Sequence, residues 1–204
     1  MNTLPAKGLV FEDYDADGYP HSARFVGTWT SIPNSFLYYY GYANTSFLYK
    51  TNKIVIPDGV TLIGVNAFCS CFWKTVIFPN NNINIGQTAF SAAGIEGSII
   101  LNKNVDFGVE SFKNNPSLKQ IICYGQVDRI QNRALVVGGT GLELLDFSYC
   151  TTIPPLFSSA SMTLATGCII RIPAALSDTT LGEGNGWESA LNWNALTDIV
   201  WEVV

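Results

Sequence analysis

The sequence predicts a β-dominated repeat fold of α/β type. It is a right-handed solenoid of about six coils with a parallel sheet, closed by an N-terminal β-hairpin and a Trp-containing C-terminal cap. Three observations carry this. Phe68, Phe90 and Phe112 stand 22 residues apart, Leu135 follows after 23 and Phe157 after another 22. The neighbours return too: Ile63-Gly64-Val65-Asn66-Ala67-Phe68, Ile85-Gly86-Gln87-Thr88-Ala89-Phe90, Phe107-Gly108-Val109-Glu110-Ser111-Phe112 and Ile130-Gln131-Asn132-Arg133-Ala134-Leu135. A short β-rich run follows each unit. A period in the low twenties marks a coil that cannot bury its apolar face alone and must stack on its neighbours.

The elements follow in chain order. In residues 1–30, Val10-Phe11-Glu12-Asp13-Tyr14 and Ser22-Ala23-Arg24-Phe25-Val26 flank a Gly-Tyr-Pro turn and read as a capping hairpin. Residues 31–173 form the solenoid. Its strands are Ile54–Pro57, Val76–Pro79, Ile99–Asn102, Ile121–Tyr124, Leu145–Ser148 and Ile170–Pro173. Branched and aromatic residues suit a pleated, half-buried surface, and a terminal Pro or Asn stops the run. The repeated Phe forms an interior column behind that sheet. The Gly before each Ala-Phe is expected to make a tight turn without a Cβ clash. Two units depart from the pattern. The first is stretched, Phe36 to Phe68 being 32 residues, and the fourth has Leu135 and an insertion, Val137-Gly138-Gly139-Thr140-Gly141. Residues 174–204, with Trp187, Trp193 and Trp201, cover the far end, where each indole shields a large apolar area. The three segments make one domain.

Leu118-Lys119-Gln120-Ile121-Ile122-Cys123 and Leu142-Glu143-Leu144-Leu145-Asp146-Phe147 show the leucine-rich-repeat strand spacing. The unit from Pro57 to Cys71 resembles a nearly full BspA-like leucine-rich repeat. The tail Ile170-Arg171-Ile172-Pro173-Ala174-Ala175-Leu176, with Trp187 and Asn192-Trp193, is similar to the closing segment of that family. The resemblance covers about residues 30–204. It implies a non-catalytic recognition or structural protein, either a bacteriophage virion component or a bacterial surface adhesin. The stretch Phe11–Pro20 looks like phage-encoded members. If the N-terminus is native, residues 1–15 offer no Sec-type signal peptide, which tilts the expectation to a virion protein assembled in the host cytoplasm. The partners implied are other virion proteins or a host-surface protein or glycan, in an oligomer or larger assembly.

Composition sets the excluded classes. Apolar residues are 48% and charged residues 13%, too apolar for disorder. With 11 Lys+Arg against 16 Asp+Glu and no basic run, nucleic-acid binding is disfavoured. No apolar stretch is long enough for membrane insertion. The five cysteines, Cys69, Cys71, Cys123, Cys150 and Cys168, are odd in number, sit largely in apolar repeat positions and read as unpaired thiols.

Candidate chemistry is sparse, and neither a cofactor nor a metal is expected. Asp13-x-Asp15-x-Asp17-Gly18 matches the opening of a calcium loop, but the twelfth position is Arg24. A polar hairpin turn and a weak calcium site both remain open. His21 is the single histidine and is expected in a surface loop. No phosphate-loop motif occurs, and no carboxylate pair is marked for glycoside hydrolysis, which leaves a glycan-acting enzyme as the least favoured reading.

Two binding candidates stand out. Residues 35–49 hold five of the nine tyrosines, among them Tyr38, Tyr39, Tyr40 and Tyr42. They either shield the first coil or contact a partner. The second candidate follows from strand alternation. If Ile54, Val76, Ile99, Ile121, Leu145 and Ile170 point inward, then Val55, Ile77, Ile100, Ile122, Asp146 and Arg171 form an outward row. Four stacked apolar members reflect either strand propensity or a covered face. The opposite phasing would remove the row.

Overall fold

The computed structural model describes residues 8–16, 18, 20–38, 52–154, 162–182, 186–187 and 199–204. Two rows of strands run down the stack. The first opens with the antiparallel hairpin β1 (Gly8–Tyr14) and β2 (Pro20–Val26), followed in parallel by β4 (Lys53–Val55) and β6 (Thr75–Ile77). It continues through β8 (Gly97–Leu101), β10 (Leu118–Cys123), β12 (Leu142–Asp146), β13 (Leu164–Ile172) and β14 (Val200–Val203), all parallel. A second parallel sheet joins β3 (Ser31–Ile32), β5 (Leu62–Ile63), β7 (Ile83–Ile85), β9 (Val105–Phe107) and β11 (Val127–Ile130). Five coils contribute to that second sheet, close to the six expected. Among the described residues the only α-helix is α1 (Asp178–Leu181), after a 3-10 turn at Ala174–Leu176.

The second sheet was not foreseen. Its signal was present in the alternation Ile83-Asn84-Ile85 and Val105-Asp106-Phe107, where both apolar residues are buried. Of the two strand phasings, the structure adopts the one in which Ile54, Val76, Ile99, Ile121, Leu145 and Ile170 lie in the core.

Between the sheets each coil turns through a segment whose backbone bonds reach the next coil. The Phe68 N–H donates to the Ala89 carbonyl at 2.8 Å, Phe90 to Ser111 at 2.8 Å and Phe112 to Ala134 at 2.9 Å. Left-handed residues recur two positions before the column residue, Asn66, Thr88 and Glu110 before a Phe and Arg133 before Leu135, with φ of 57°, 53°, 54° and 57°. They recur two positions after it at Ser70, Ala92 and Asn114. Such conformations cost a non-glycine residue roughly 1–2 kcal/mol. The ladder offsets that, because a buried backbone group left without a partner costs a comparable amount.

The glycines act differently from the expectation. Gly64, Gly86 and Gly108 do not adopt positive φ. A Cβ on Gly86 would sit 2.7 Å from the Ile63 carbonyl oxygen of the preceding coil, and one on Gly108 would meet the Ile85 carbonyl oxygen. Close approach between coils, not turn geometry, requires glycine. Gln131 replaces it in the fourth unit, where β11 carries a bulge between Val127 and Arg129. That bulge accommodates the 23-residue step.

The phenylalanines stack as a column. Phe68 and Phe90 lie 5.1 Å apart at 19°, and Phe90 and Phe112 lie 5.3 Å apart at 5°. Leu135 continues the column, fully buried. In the stretched first unit, Leu37 and not Phe36 takes the equivalent backbone place, since Leu37 donates to Ala67 and Ser35 repeats the left-handed turn. The step there is 31 residues (37 to 68), so the excess is nine, not ten. Phe36 still packs edge-on against Phe68 at 6.2 Å.

Both ends are more integrated than simple lids. β2 is itself the first rung, with Ala23 beside Ile54. Trp187 is fully buried and stacks on Phe147 at 5.1 Å. Trp201 lies in β14, which adds a strand to the sheet beside Ile170. Phe157 and Trp193 fall outside the described residues.

Phe90→Ala should destabilise the protein by about 3–5 kcal/mol, the usual cost of emptying a large core site. Gly86→Ala should cost about 1–3 kcal/mol by overpacking the coil contact, whereas Val65→Ala, at a surface position, should stay within about 0.5 kcal/mol. Denaturant unfolding of the three variants checks this order.

Candidate functional site

Parallel register sets the outer residues of the first strand row side by side. Arg24, Val55 and Ile77 are aligned, and so are Ile100, Ile122, Asp146, Arg171 and Glu202. The two runs meet where β6 lies beside β8, with the Glu96 N–H donating to the Lys74 carbonyl at 2.9 Å. Val55, Ile77 and Ile100 are 37%, 41% and 44% exposed, and Ile122 is half-buried. Four aliphatic side chains therefore form one ridge on the outer face.

The ridge is bounded by charge at both ends. Arg24 pairs with Glu12 of β1. At the other end Arg171 lies between Glu202, at 2.9 Å, and Asp146, at 3.4 Å. Glu202 and then Asp146 hold the Arg171 guanidinium in its charged form. Asp146 departs from the expectation of an exposed residue: it is 7% exposed and accepts from the Ser148 N–H at 3.1 Å and hydroxyl at 2.6 Å. Its carboxylate ties the end of β12 to β13, and the side chain of Arg171 covers it.

The tyrosine-rich segment is only touched by the structure. Tyr38 is half-buried and its N–H donates to the Ser35 carbonyl at 3.3 Å. Tyr39, Tyr40 and Tyr42 lie outside the described residues. A different tyrosine pair was missed. Tyr124 and Tyr149 are 46% and 56% exposed and meet edge to face at 5.2 Å. Tyr124 stands two residues beyond Ile122, so carrying the strand alternation one step further would have found it.

The second sheet presents polar residues instead. Asn84, Asp106 and Arg129 follow one another across β7, β9 and β11, and Arg129 Nε donates to Asp106 at 3.1 Å. Beside them a side-chain ladder keeps the 22-residue period. The Asn104 N–H donates to Asn82 Oδ1 at 3.3 Å and the Gln126 N–H to Asn104 Oδ1 at 3.1 Å. A shallow hollow of about 250 Å³ there includes Asp106 and Asp128 in its wall. Asp106 is engaged by Arg129, whereas Asp128 is exposed, its carboxyl raised by partial burial and then by Asp106. Two carboxylates are thus near each other, one exposed and one engaged by arginine.

Other reactive groups are placed structurally. His21 lies in β2, not in a loop, 3.9 Å from Asp15. Asp13 accepts from the Ser22 hydroxyl, and Asp17 lies outside the described residues. Among the described residues no three His, Cys, Asp or Glu side chains gather as a metal-holding group. All five cysteines are free thiols, four of them buried and Cys69 half-buried. Burial pushes Cys71 up to about 12 and Cys150 and Cys168 up to about 11, and raises Cys123 as well. A nucleophilic cysteine needs the opposite shift.

Because the folded thiols hold their protons more tightly than unfolded ones, their contribution to stability is complete below the unfolded value of about 9 and is lost as pH rises through about 11–12. Unfolding midpoints should fall over that window, and less so in a variant with Cys71, Cys150 and Cys168 replaced by alanine. A thiol reagent at pH 8 should label Cys69 rapidly and the other four only on unfolding.

Comparison with known proteins agrees with this architecture. The BspA type leucine rich repeat region matches in six copies over residues 37–159. No curated protein matches the chain. Folds of this type are repeat-based binding scaffolds. With stacked coils of one period, an aromatic column and a family match over more than half its length, the chain belongs to the BspA-type leucine-rich repeat family.

Proposed function

We propose that this protein is a non-catalytic recognition and assembly module that works through the outer face of its first strand row. The observation that carries this is the ridge of Val55, Ile77, Ile100 and Ile122. It is a continuous apolar strip on a rigid frame, in a chain with only 13% charged residues. Contiguous exposed apolar surface is characteristic of interaction sites. Tyr124 and Tyr149 add aromatic area at one flank, of the kind enriched at interfaces. Each contact is small, so several copies in one assembly would supply avidity.

We place the module in a bacteriophage virion, on the tail or capsid surface, where it contacts other virion proteins or a host-surface protein or glycan. The resemblance of the Phe11–Pro20 hairpin to phage-encoded members supports this setting. A bacterial cell-surface adhesin is the alternative, since it needs the same exposed face.

Density-purified particles from an induced culture should contain the chain in several copies, detected by mass spectrometry and by antibody labelling in electron micrographs. Labelling of intact uninfected cells, with none on particles, would favour the adhesin instead. Within particles, an Ile77→Glu/Ile100→Glu variant should be incorporated or retained at least tenfold less than the parent. Its unfolding free energy should change by less than about 1 kcal/mol, because both positions face outward.

A further inference from the structure

We infer that a hollow where the turn segments lead back into the first strand row, just before β6 and β8, binds one neutral pyranose ring of a glycan. The hollow is separate from the ridge and does not depend on the reading of that surface. It measures about 300 Å³, at the low end for small-ligand sites and roomy enough for a single ring. The 22-residue period builds it. Phe72, Gly94 and Pro116 hold equivalent places in three consecutive coils, since 94−72 and 116−94 are both 22. The middle coil has no side chain at that place. The Gly94 backbone and the buried Ile95 therefore form the floor, and Phe72 and Pro116 form the walls.

Phe72 is an unusual wall. Its φ is 63°, a conformation rare for a bulky residue. Glycine holds the equivalent place at Gly94 and Gly139, with φ of 73° and 61°. Glycine would fit the backbone more easily than Phe72 does, and an aromatic kept in a disfavoured conformation points to a use for its ring. A Cβ on Gly94 would lie 3.1 Å from the Phe72 Cα and 3.6 Å from its Cδ1, so a larger residue there would fill the hollow from below.

Three features select a pyranose. The first is width. At about 4.8 Å per coil the walls stand roughly 9.6 Å apart. A flat aromatic ring midway would lie about 4.8 Å from each wall, beyond the roughly 3.5–4.0 Å of good carbon contact. A pyranose is puckered and carries C–H bonds on both faces, which take up the difference, and the negative π face of an aromatic wall suits them. The second feature is the rim. Lys74 and Glu96 pair at 3.1 Å, both exposed, and Ser117 adds an exposed hydroxyl. An anion would be repelled by Glu96 and a cation by Lys74, whereas a sugar hydroxyl donates to the carboxylate and accepts from the ammonium. The third feature is the floor. Among the described residues no hydrogen bond reaches the N–H or the C=O of Gly94, which leaves a donor and an acceptor for ring hydroxyls. An extended peptide needs a run of such groups, and a single residue does not supply one.

The test uses the full chain with the methyl glycosides of glucose, galactose, mannose and N-acetylglucosamine, and with methyl glucuronoside as the anionic control. Saturation-transfer difference NMR at about 5 mM sugar, suited to a millimolar dissociation constant, should detect at least one of the neutral sugars. Binding should weaken at least tenfold in Phe72→Gly, which removes the wall while suiting the backbone, and in Ser117→Leu, which fills the hollow from an exposed position. Far-UV circular dichroism should show both variants folded. The Ile77→Glu/Ile100→Glu protein should bind sugar as the parent does, so a failure here and a failure of the ridge are read separately. Binding of none of the neutral sugars, tighter binding of the glucuronoside, binding unchanged in either hollow variant, or loss of binding in the ridge variant overturns the inference.

Discussion

The backbone of the turn segments imposes the constraint on which the rest depends. A coil contains more peptide groups than its two short strands can pair, and the surplus lies next to a dry aromatic column. Those groups must find partners in the adjacent coil, at one fixed spacing. The bonds from Phe68, Phe90 and Phe112 to the following coil show how this is done. Equal coil length is the consequence. A coil of another length would displace its carbonyls from the donors waiting for them. The left-handed residues, the glycines that admit a carbonyl where a Cβ would stand, and the side-chain ladder through Asn82, Asn104 and Gln126 all serve the same register.

Deviations from the period confirm the rule by where they are absorbed. The 23-residue step before Leu135 is taken up as a bulge in β11, in the same coil where Gln131 replaces the usual glycine. The long first unit returns to register at Leu37, one residue away from the phenylalanine that periodicity alone would choose. Buried Asn115 shows a different accommodation. Its amide donates to the Phe90 and Phe112 carbonyls, both at 2.8 Å, and its oxygen accepts from Ile95 at 3.0 Å, so one side chain joins consecutive coils.

Much of the fold was legible because its determinants are local and repeated. Phe68, Phe90 and Phe112 announced the period, and strand alternation correctly separated Ile54 from Val55 and Ile99 from Ile100. The second sheet was hidden because β5 has two residues and β7 and β9 three each, too short for alternation to rise above the adjoining turn. The candidate site was legible to the same depth. Its aliphatic members follow from alternation. The burial of Asp146 does not, because it depends on Arg171 reaching across from the next strand, a contact between residues 25 apart in sequence. Of the Tyr124–Tyr149 pair, alternation marks the outward Tyr124, whereas its contact with Tyr149 joins two coils and is marked in neither.

The regular coil bears on how such a gene can change. Since each unit bonds only to the units above and below it, replication slippage that copies one complete unit would leave every surviving junction intact. Each duplication would extend the stack by roughly 4.8 Å and lengthen the greasy strip by a single side chain. The extent of that strip could thus change in discrete increments, by counting units rather than by redesigning any one of them.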